Sequence, residues 1–325
     1  MSKAILGGRM DRGLDEAKVS QVGYAVVGTK SEDEWVDLAT TVGCEIVKVS
    51  SGRGLRLDPD RAARIFLDEN VPTGSIRLGW EAPDASAYAA ILHRLDDAGA
   101  LVQRDDEALA AQRSVQQLAV FKDPDGITGE LYWGAHSALR APFRSPFHVS
   151  FRAGSEGFGH ATLAVANEKQ TTSFYVDVLG LMITELADVG DLRVVFLRAN
   201  SRHHSLALAQ MPSGKSAVAH LMLEVERIDD LGSIRDRLLQ DGQRIARDLG
   251  RHPTDGVISM YLNTPEHYEL EIGWGSETVA DDWEEVRYAR NSWSWGHHRI
   301  DESGAPIVVA GSGLGEEANK TTDGD

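Results

Sequence analysis

The sequence contains a single cysteine, Cys44, among 325 residues, so it can form no intramolecular disulfide and no thiolate metal cluster. Positive charge is also scarce, because 33 Lys and Arg residues stand against 50 Asp and Glu, which gives a net charge of -17. A chain this acidic is a poor partner for nucleic acid or for an anionic membrane surface. These shortages exclude disulfide-rich and nucleic-acid-binding classes and favour a small-molecule partner.

Long apolar runs are missing as well. No stretch approaches the ~20 apolar residues of a membrane span, and the N-terminal segment lacks the apolar core of a secretory signal. With the lone cysteine, this predicts a cytoplasmic protein. The composition, 42% hydrophobic and 26% charged, is that of a globular protein, and 325 residues favour two domains over one.

Three short segments of the second half alternate apolar and polar residues, as strands with one buried face do. These segments are 160–165, 220–225 and 268–275. On the face opposite the apolar residues they carry His160, His220 and Glu271. Two imidazoles and one carboxylate form a facial triad, the ligand set of iron(II) with positions left open for substrate and oxygen. We therefore predict that these residues bind Fe2+, with Mn2+ as the less favoured metal.

The two halves of the chain repeat one pattern of strand, helix and several strands. Offsets of 137, 143 and 141 residues separate three glycine pairs: Gly43 and Gly180, Gly99 and Gly242, Gly134 and Gly275. Such constant spacing indicates a duplicated unit. The same offsets place Gly23, Arg77 and Glu130 opposite the three predicted ligands. Because an arginine would repel a metal ion, the first half is expected to bind none.

The predicted organisation has five parts: a flexible arm (1–17), a structural domain without metal (18–136), a linker (137–156), a catalytic domain (157–298) and an acidic tail, disordered at its end (299–325). Periodic segments and end signals predict helices at 31–41, 85–97, 169–179 and 229–240. Ser31 is the expected N-cap of the first helix, with Glu34 three residues on.

Further polar residues lie between the predicted ligands. His252 and Asp255 precede a strand at 257–262, in which Tyr261 faces away from the apolar residues. His203 and His204 follow a strand at 193–197. These groups could surround a metal site.

Other residues are expected at the surface or in the core. The polar surroundings of His203 predict a solvated turn, and His267, His297 and His298 are expected at the surface. Phe158, Met182 and Phe196 fit either the core or the wall of a pocket for an aromatic substrate.

Five segments follow one another along residues 18–298: Gly157–Ala161, Asn200–Ala207, Ala219–Val225, Gly250–Asp255 and Tyr268–Gly275. In this order and spacing they resemble the two-domain type I extradiol catechol dioxygenases of the vicinal oxygen chelate superfamily. The resemblance implies an α+β fold of two tandem domains, each built of paired βαβββ modules that form an incomplete barrel. It also implies that only the second domain binds the metal.

The resemblance further implies roles for seven residues: iron ligands at His160, His220 and Glu271, an acid–base and oxygen-orienting group at His204, and supporting groups at His252, Asp255 and Tyr261. The segment between His204 and His220 is one residue longer than the family pattern, so His203 stays an alternative for the acid–base position.

The activity implied is cleavage of an aromatic ring beside a diol, with both atoms of O2 inserted, during breakdown of aromatic compounds. The expected partners are an aryl-substituted or bicyclic catechol and O2, without nucleic acid or membrane, in a homo-oligomer. Two alternatives share the fold: a glyoxalase-like metal-dependent lyase or isomerase, and a non-catalytic protein that sequesters a ligand. The former usually has an additional carboxylate ligand, and the latter needs no acid–base group. Neither would consume O2.

Overall fold

The computed structural model describes residues 17–136, 142–189, 192–211, 214–242, 245–266, 268–289, 294–300 and 306–307. Almost all of the predicted arm and most of the predicted tail lie outside these ranges. Within them, an eight-stranded sheet occupies the first half of the chain and a twelve-stranded sheet the second.

In the part of the first half that the structure describes, there are eight strands and three helices: β1 (Gln21–Gly28), α1 (Glu32–Val42), β2 (Glu45–Val49), β3 (Gly52–Arg56), β4 (Ile65–Asp68), β5 (Ile76–Glu81), α2 (Ala85–Asp97), β6 (Leu101–Gln103), α3 (Glu107–Arg113), β7 (Gln117–Lys122) and β8 (Thr128–Trp133).

The second half begins with a 3-10 turn, Gly154–Glu156, and continues with the following elements: β9 (Gly159–Val165), α4 (Glu168–Asp177), β10 (Met182–Val189), β11 (Leu192–Arg198), β12 (Leu206–Gln210), β13 (Ala217–Val225), α5 (Ile228–Gln240), β14 (Ile245–Arg251), β15 (Ile258–Asn263), β16 (Glu269–Trp274), β17 (Val286–Ala289), β18 (Trp295–Gly296), β19 (Arg299–Ile300) and β20 (Pro306–Ile307).

The two sheets share one topology. The first runs β2-β3-β4-β1-β5-β8-β7-β6, and the second contains β10-β11-β12-β9-β13-β16-β15-β14 in the equivalent positions. In each, an antiparallel pair of strands at the centre, β1–β5 or β9–β13, joins two βαβββ modules. The predicted α+β fold with an internal duplication is therefore confirmed.

Helix α1 shows how the pattern in the sequence sets the packing. Trp35, Leu38, Ala39 and Val42 recur at helical spacing and are buried in a core that extends through both halves. The helix ends at Gly43, whose φ of 103° is accessible to glycine without strain. Ser31 occupies the N-cap position, as expected, but its side chain makes no capping hydrogen bond.

Candidate metal site in the second half

Three adjacent strands, β9, β13 and β16, bring the predicted ligands together. In the ladder, Met222 lies opposite both His160 and Glu271, and His220 lies opposite Thr162. Residues paired across a ladder point to the same face of the sheet, so the three side chains project to one side. The alternate residues Ala161, Leu163, Leu221 and Leu223 are fully buried in the core, as the alternation predicts.

The side-chain atoms of the three predicted ligands converge on one point. Nε2 of His160 lies 3.4 Å from Oε2 of Glu271, Nε2 of His220 lies 3.2 Å from the same oxygen, and the two nitrogens are 3.2 Å apart. His160 and Glu271 are 4% and 1% exposed. Among the described residues, this is the group of histidine, cysteine and acidic side chains that could hold a metal ion. Such a site suits a divalent cation, because the carboxylate and two imidazoles are otherwise crowded together away from water.

The electrostatics favour the forms of these side chains that bind metal. Burial alone would raise the pKa of Glu271, but hydrogen bonds with His160, His220 and His252 outweigh it and hold that pKa well below its usual value. Burial lowers the pKa of His160, and Glu271 offsets only part of this effect. A charged carboxylate and a neutral imidazole with a free lone pair are the forms that coordinate a metal ion.

His252 and Tyr261 lie beside the carboxylate. Nε2 of His252 is 2.8 Å from the phenol oxygen of Tyr261 and 3.4 Å from Oε1 of Glu271. Tyr261, on β15, stands directly opposite Glu271 in the ladder. Burial and the nearby Glu271 charge raise the pKa of Tyr261 well above its usual value, so it keeps its proton and can donate a hydrogen bond.

His204 lies against the other side of the ligands. The centroid of its ring lies 4.0 Å from that of His160, with the two rings tilted to each other. Phe196 packs edge-on against it, with ring centroids 4.9 Å apart. Asp255 accepts a hydrogen bond from the backbone N–H of Val257 and has a carboxylate oxygen 4.0 Å from Nδ1 of His204. Burial lowers the pKa of His204 well below its usual value, and His160 and His203 lower it further. His204 is thus the neutral imidazole nearest to the three ligands on this side.

The expectation of a solvated turn at His203 is wrong. Its side chain is fully buried, with Nδ1 3.2 Å from Nδ1 of His204 and Nε2 3.0 Å from Oε2 of Glu185. The polar segment is buried because another segment covers it: the His203 N–H donates to the carbonyl of Glu277. The polar sequence of this segment does not show that another part of the chain packs over it.

The expectation of a surface position for His297 is also wrong. It is 5% exposed, its ring lies 4.7 Å from that of His252, and its Nε2 is 3.1 Å from the Ser259 hydroxyl. Burial and His252 lower the pKa of His297 to about 3. His298 is half-buried, and His267 lies outside the described residues.

Two further side chains matter at the site. Thr162 lies on the same strand as His160, and its hydroxyl is 3.0 Å from Nε2 of His220. Of the three possible pocket residues, Phe196 contacts His203 and His204, whereas Phe158 is fully buried in the core.

The equivalent place in the first half is filled by protein side chains. Glu130 accepts a hydrogen bond of 2.6 Å from the Tyr24 phenol and one of 3.1 Å from Nε of Arg113, and Arg77 lies 3.4 Å away. In the ladder, Gly79 stands opposite both Tyr24 and Glu130, as Met222 stands opposite His160 and Glu271. The counterpart of His160 is therefore Tyr24. The offset-based choice of Gly23 is one residue off.

Comparisons with known proteins agree with this geometry. Residues 157–272, which include all three predicted ligands, match the family model of the glyoxalase/bleomycin resistance protein/dioxygenase superfamily. The biphenyl-2,3-diol 1,2-dioxygenase of Paraburkholderia xenovorans is 37% identical over 261 residues, which cover 78% of this chain and 86% of the relative. The chain belongs to the extradiol dioxygenases. This extradiol dioxygenase is also 31% identical, over 78% of its length and 90% of the relative, to an iron-dependent extradiol dioxygenase of Rhodococcus jostii.

A solved structure extends the likeness to the whole fold. The crystal structure of a halotolerant catechol dioxygenase superposes with a TM-score of 0.80 at 26% identity, covering 89% of this extradiol dioxygenase and 98% of that chain. The predicted family, the fold and the classification as an oxidoreductase of the dioxygenase type are thereby confirmed. Among the helices that the structure describes, none is both long and apolar enough to cross a membrane.

Proposed function

We propose that His160, His220 and Glu271 hold a single iron(II) ion at which the enzyme cleaves a catechol ring beside its diol. The observation that carries this proposal is the convergence of two imidazole nitrogens and one carboxylate oxygen within 3.2 to 3.4 Å of one another. The three ligands come from one sheet face, so the opposite side of the ion stays open. Iron is preferred over manganese because the ligand set suits iron and the R. jostii relative is named as iron-dependent.

Iron(II) bound at these ligands would chelate and acidify the two catechol oxygens, bring O2 beside the ring and let electrons pass between them. The protein's own groups then act on substrate. Tyr261 donates a hydrogen bond to a catechol oxygen, and His252 orients that phenol. His204 is the acid–base group, since it is the neutral, buried imidazole beside His160. Asp255 supports the orientation of His204 from 4.0 Å away.

The substrate class proposed is an aryl-substituted or bicyclic catechol. The half-buried Phe196 ring contacts His204 edge-on, which offers an aromatic wall next to the acid–base group. A relative named for a biphenyl diol is consistent with this choice. Assembly into a homo-oligomer and a cytoplasmic location stay predictions.

The activity is tested by turnover in air with a panel of monocyclic, bicyclic and aryl-substituted catechols. We expect a yellow ring-opened product to form as O2 is consumed in equal amount, fastest with the larger catechols. Metal analysis of anaerobically purified protein should find one iron per chain. Conversion without O2 uptake would favour the lyase alternative, and binding without conversion would favour the sequestering protein.

We also propose that residues 18–136 form a structural domain that holds no metal. Glu130 is fully buried and already committed to Tyr24, Arg77 and Arg113. The two arginines supply positive charge where a metal ion would have to bind.

Glu130→Gln should therefore leave iron content unchanged while lowering the free energy of unfolding. The substitution leaves Arg113 buried without its closest counterion, since Asp68 is 3.6 Å away, and we expect a loss of about 3 kcal/mol. Urea unfolding monitored by circular dichroism measures it. The control is Glu69→Gln at an exposed position, which should change the unfolding free energy by less than ~0.5 kcal/mol. A fall in iron content in Glu130→Gln would contradict the assignment of this domain.

A further inference from the structure

A buried carboxylate and a buried imidazole stand in line behind His204. Glu185 on β10 is 2% exposed and His203 is 0% exposed. Oε2 of Glu185 is 3.0 Å from Nε2 of His203, and Nδ1 of His203 is 3.2 Å from Nδ1 of His204. The second carboxylate near His204, that of Asp255, is 4.0 Å from Nδ1, which is too long for a hydrogen bond. The direct polar partner of His204 at Nδ1 is therefore His203.

The sheet register places Glu185 on the same face as the metal site. Glu185 is paired with Phe196, Phe196 with Ala207, and Ala207 with Thr162. Thr162 in turn reaches His220. Since paired residues share a face, Glu185 points into the barrel rather than into the surrounding core. Rings of Phe196 and Trp283 lie 5.8 and 6.3 Å from His203 and help to keep water away from this pair.

The ring of His203 is constrained from both sides. A buried carboxylate is costly without a polar partner, and among the described residues the basic side chain within ion-pair distance of Glu185 is His203. Nδ1 of the same ring lies at hydrogen-bond distance from Nδ1 of His204. Glu185 therefore holds the ring of His203 in place, and His203 holds the ring of His204.

We propose that Glu185 and His203 are positioning residues, which fix the ring of His204 in the orientation that the reaction uses. The inference rests on the acid–base role proposed for His204. A carboxylate that orients a histidine is a common support for a reacting imidazole. Neither residue contacts substrate in this arrangement, because His203 stands between Glu185 and His204.

The kinetic test uses Glu185→Gln and His203→Phe in the iron-loaded enzyme, with Thr184→Val as the matched control. Thr184 neighbours Glu185 on β10, is fully buried, and has a hydroxyl without a hydrogen-bond partner. For the two test variants we expect kcat to fall by about 10- to 100-fold, while iron content and the anaerobic catechol Kd stay within about twofold of wild type. The control should keep wild-type turnover. Unchanged kcat in Glu185→Gln would overturn the proposal.

A double-mutant cycle separates positioning from a general structural effect. In a His204→Phe background, Glu185→Gln should cause no further loss of kcat, because the group that it positions is already gone. Independent losses that multiply would show that Glu185 acts on something other than His204. If His204→Phe alone leaves turnover intact, the proposed role of His204 fails. If only Glu185→Gln is silent, the positioning inference fails and the role of His204 stands.

A structural measurement tests the same inference without activity. In a crystal structure of Glu185→Gln, we expect the fold to be unchanged and the ring of His204 to have left its wild-type position against His160. A His204 ring in its wild-type position in this variant would overturn the inference.

Discussion

Glu271→Gln is expected to abolish ring cleavage while leaving the fold intact. Gln keeps the volume of the side chain but removes the anionic member of the three predicted ligands. At an effective dielectric constant of about 20, a unit charge and a dication 4 Å apart interact by about 8 kcal/mol. The cost of burying the carboxylate offsets part of this energy, so losing the charge should weaken metal binding by roughly 10³-fold or more. Iron content after anaerobic purification, turnover in air and the circular dichroism spectrum measure the three expectations.

The matched control is Glu269→Gln on the same strand. Glu269 is half-buried and pairs with Arg247 at 3.1 Å. It stands opposite His220 in the ladder but is not a member of the group that could hold a metal ion. This variant should retain stoichiometric iron and activity close to wild type. Full iron and full activity in Glu271→Gln would mean that the carboxylate is not a ligand.

His204→Phe is expected to slow turnover strongly without emptying the metal site. The substitution keeps an aromatic ring beside His160 and Phe196 but removes both nitrogens, so no proton can be donated or accepted there. Because the three ligands are untouched, iron content and the anaerobic catechol Kd should persist. Turnover in air should fall by roughly 10²- to 10⁴-fold, the usual loss for a general acid or base.

His93→Phe is the control for this substitution, since His93 lies on the exposed side of α2 with its side chain 77% accessible. It should be silent in all three measurements. Loss of iron in His204→Phe would instead identify His204 as a ligand, and unchanged turnover would remove it from the chemistry. In a solvated turn, His203→Phe would be nearly silent. Because His203 is instead buried between Glu185 and His204, we expect this variant to lose turnover.

The predicted ligands could be found from sequence because strand alternation alone separates their face from the apolar one. His160, His220 and Glu271 each oppose fully buried apolar neighbours, and the pairing of adjacent strands brings them together. The alternation of apolar and polar residues gives information only about strands. His203 lies between strands, so neither its burial nor its contact with Glu185 could be predicted from this pattern.

The glycine spacing predicts the duplicated unit, but it does not predict the exact register between the two halves of the chain. The β1–β5 ladder shifts register between Val22 and Tyr24, and the β9–β13 ladder shifts between Val218 and His220. Such irregularities change the offset between equivalent residues of the two halves by one, and the amino-acid composition does not reveal them. This accounts for choosing Gly23 where Tyr24 is the true counterpart of His160.

The burial of His297 could not be predicted for a different reason, since it depends on contacts with β14 and β15 that are distant in the sequence.

The most direct test of the metal site is anomalous diffraction at the iron edge from crystals of the anaerobically purified protein. We expect one strong peak per chain, within bonding distance of Nε2 of His160, Nε2 of His220 and a carboxylate oxygen of Glu271, and none beside Glu130. A peak elsewhere, a second peak in the first half, or a fully iron-loaded protein without density between these three side chains would contradict the assignment.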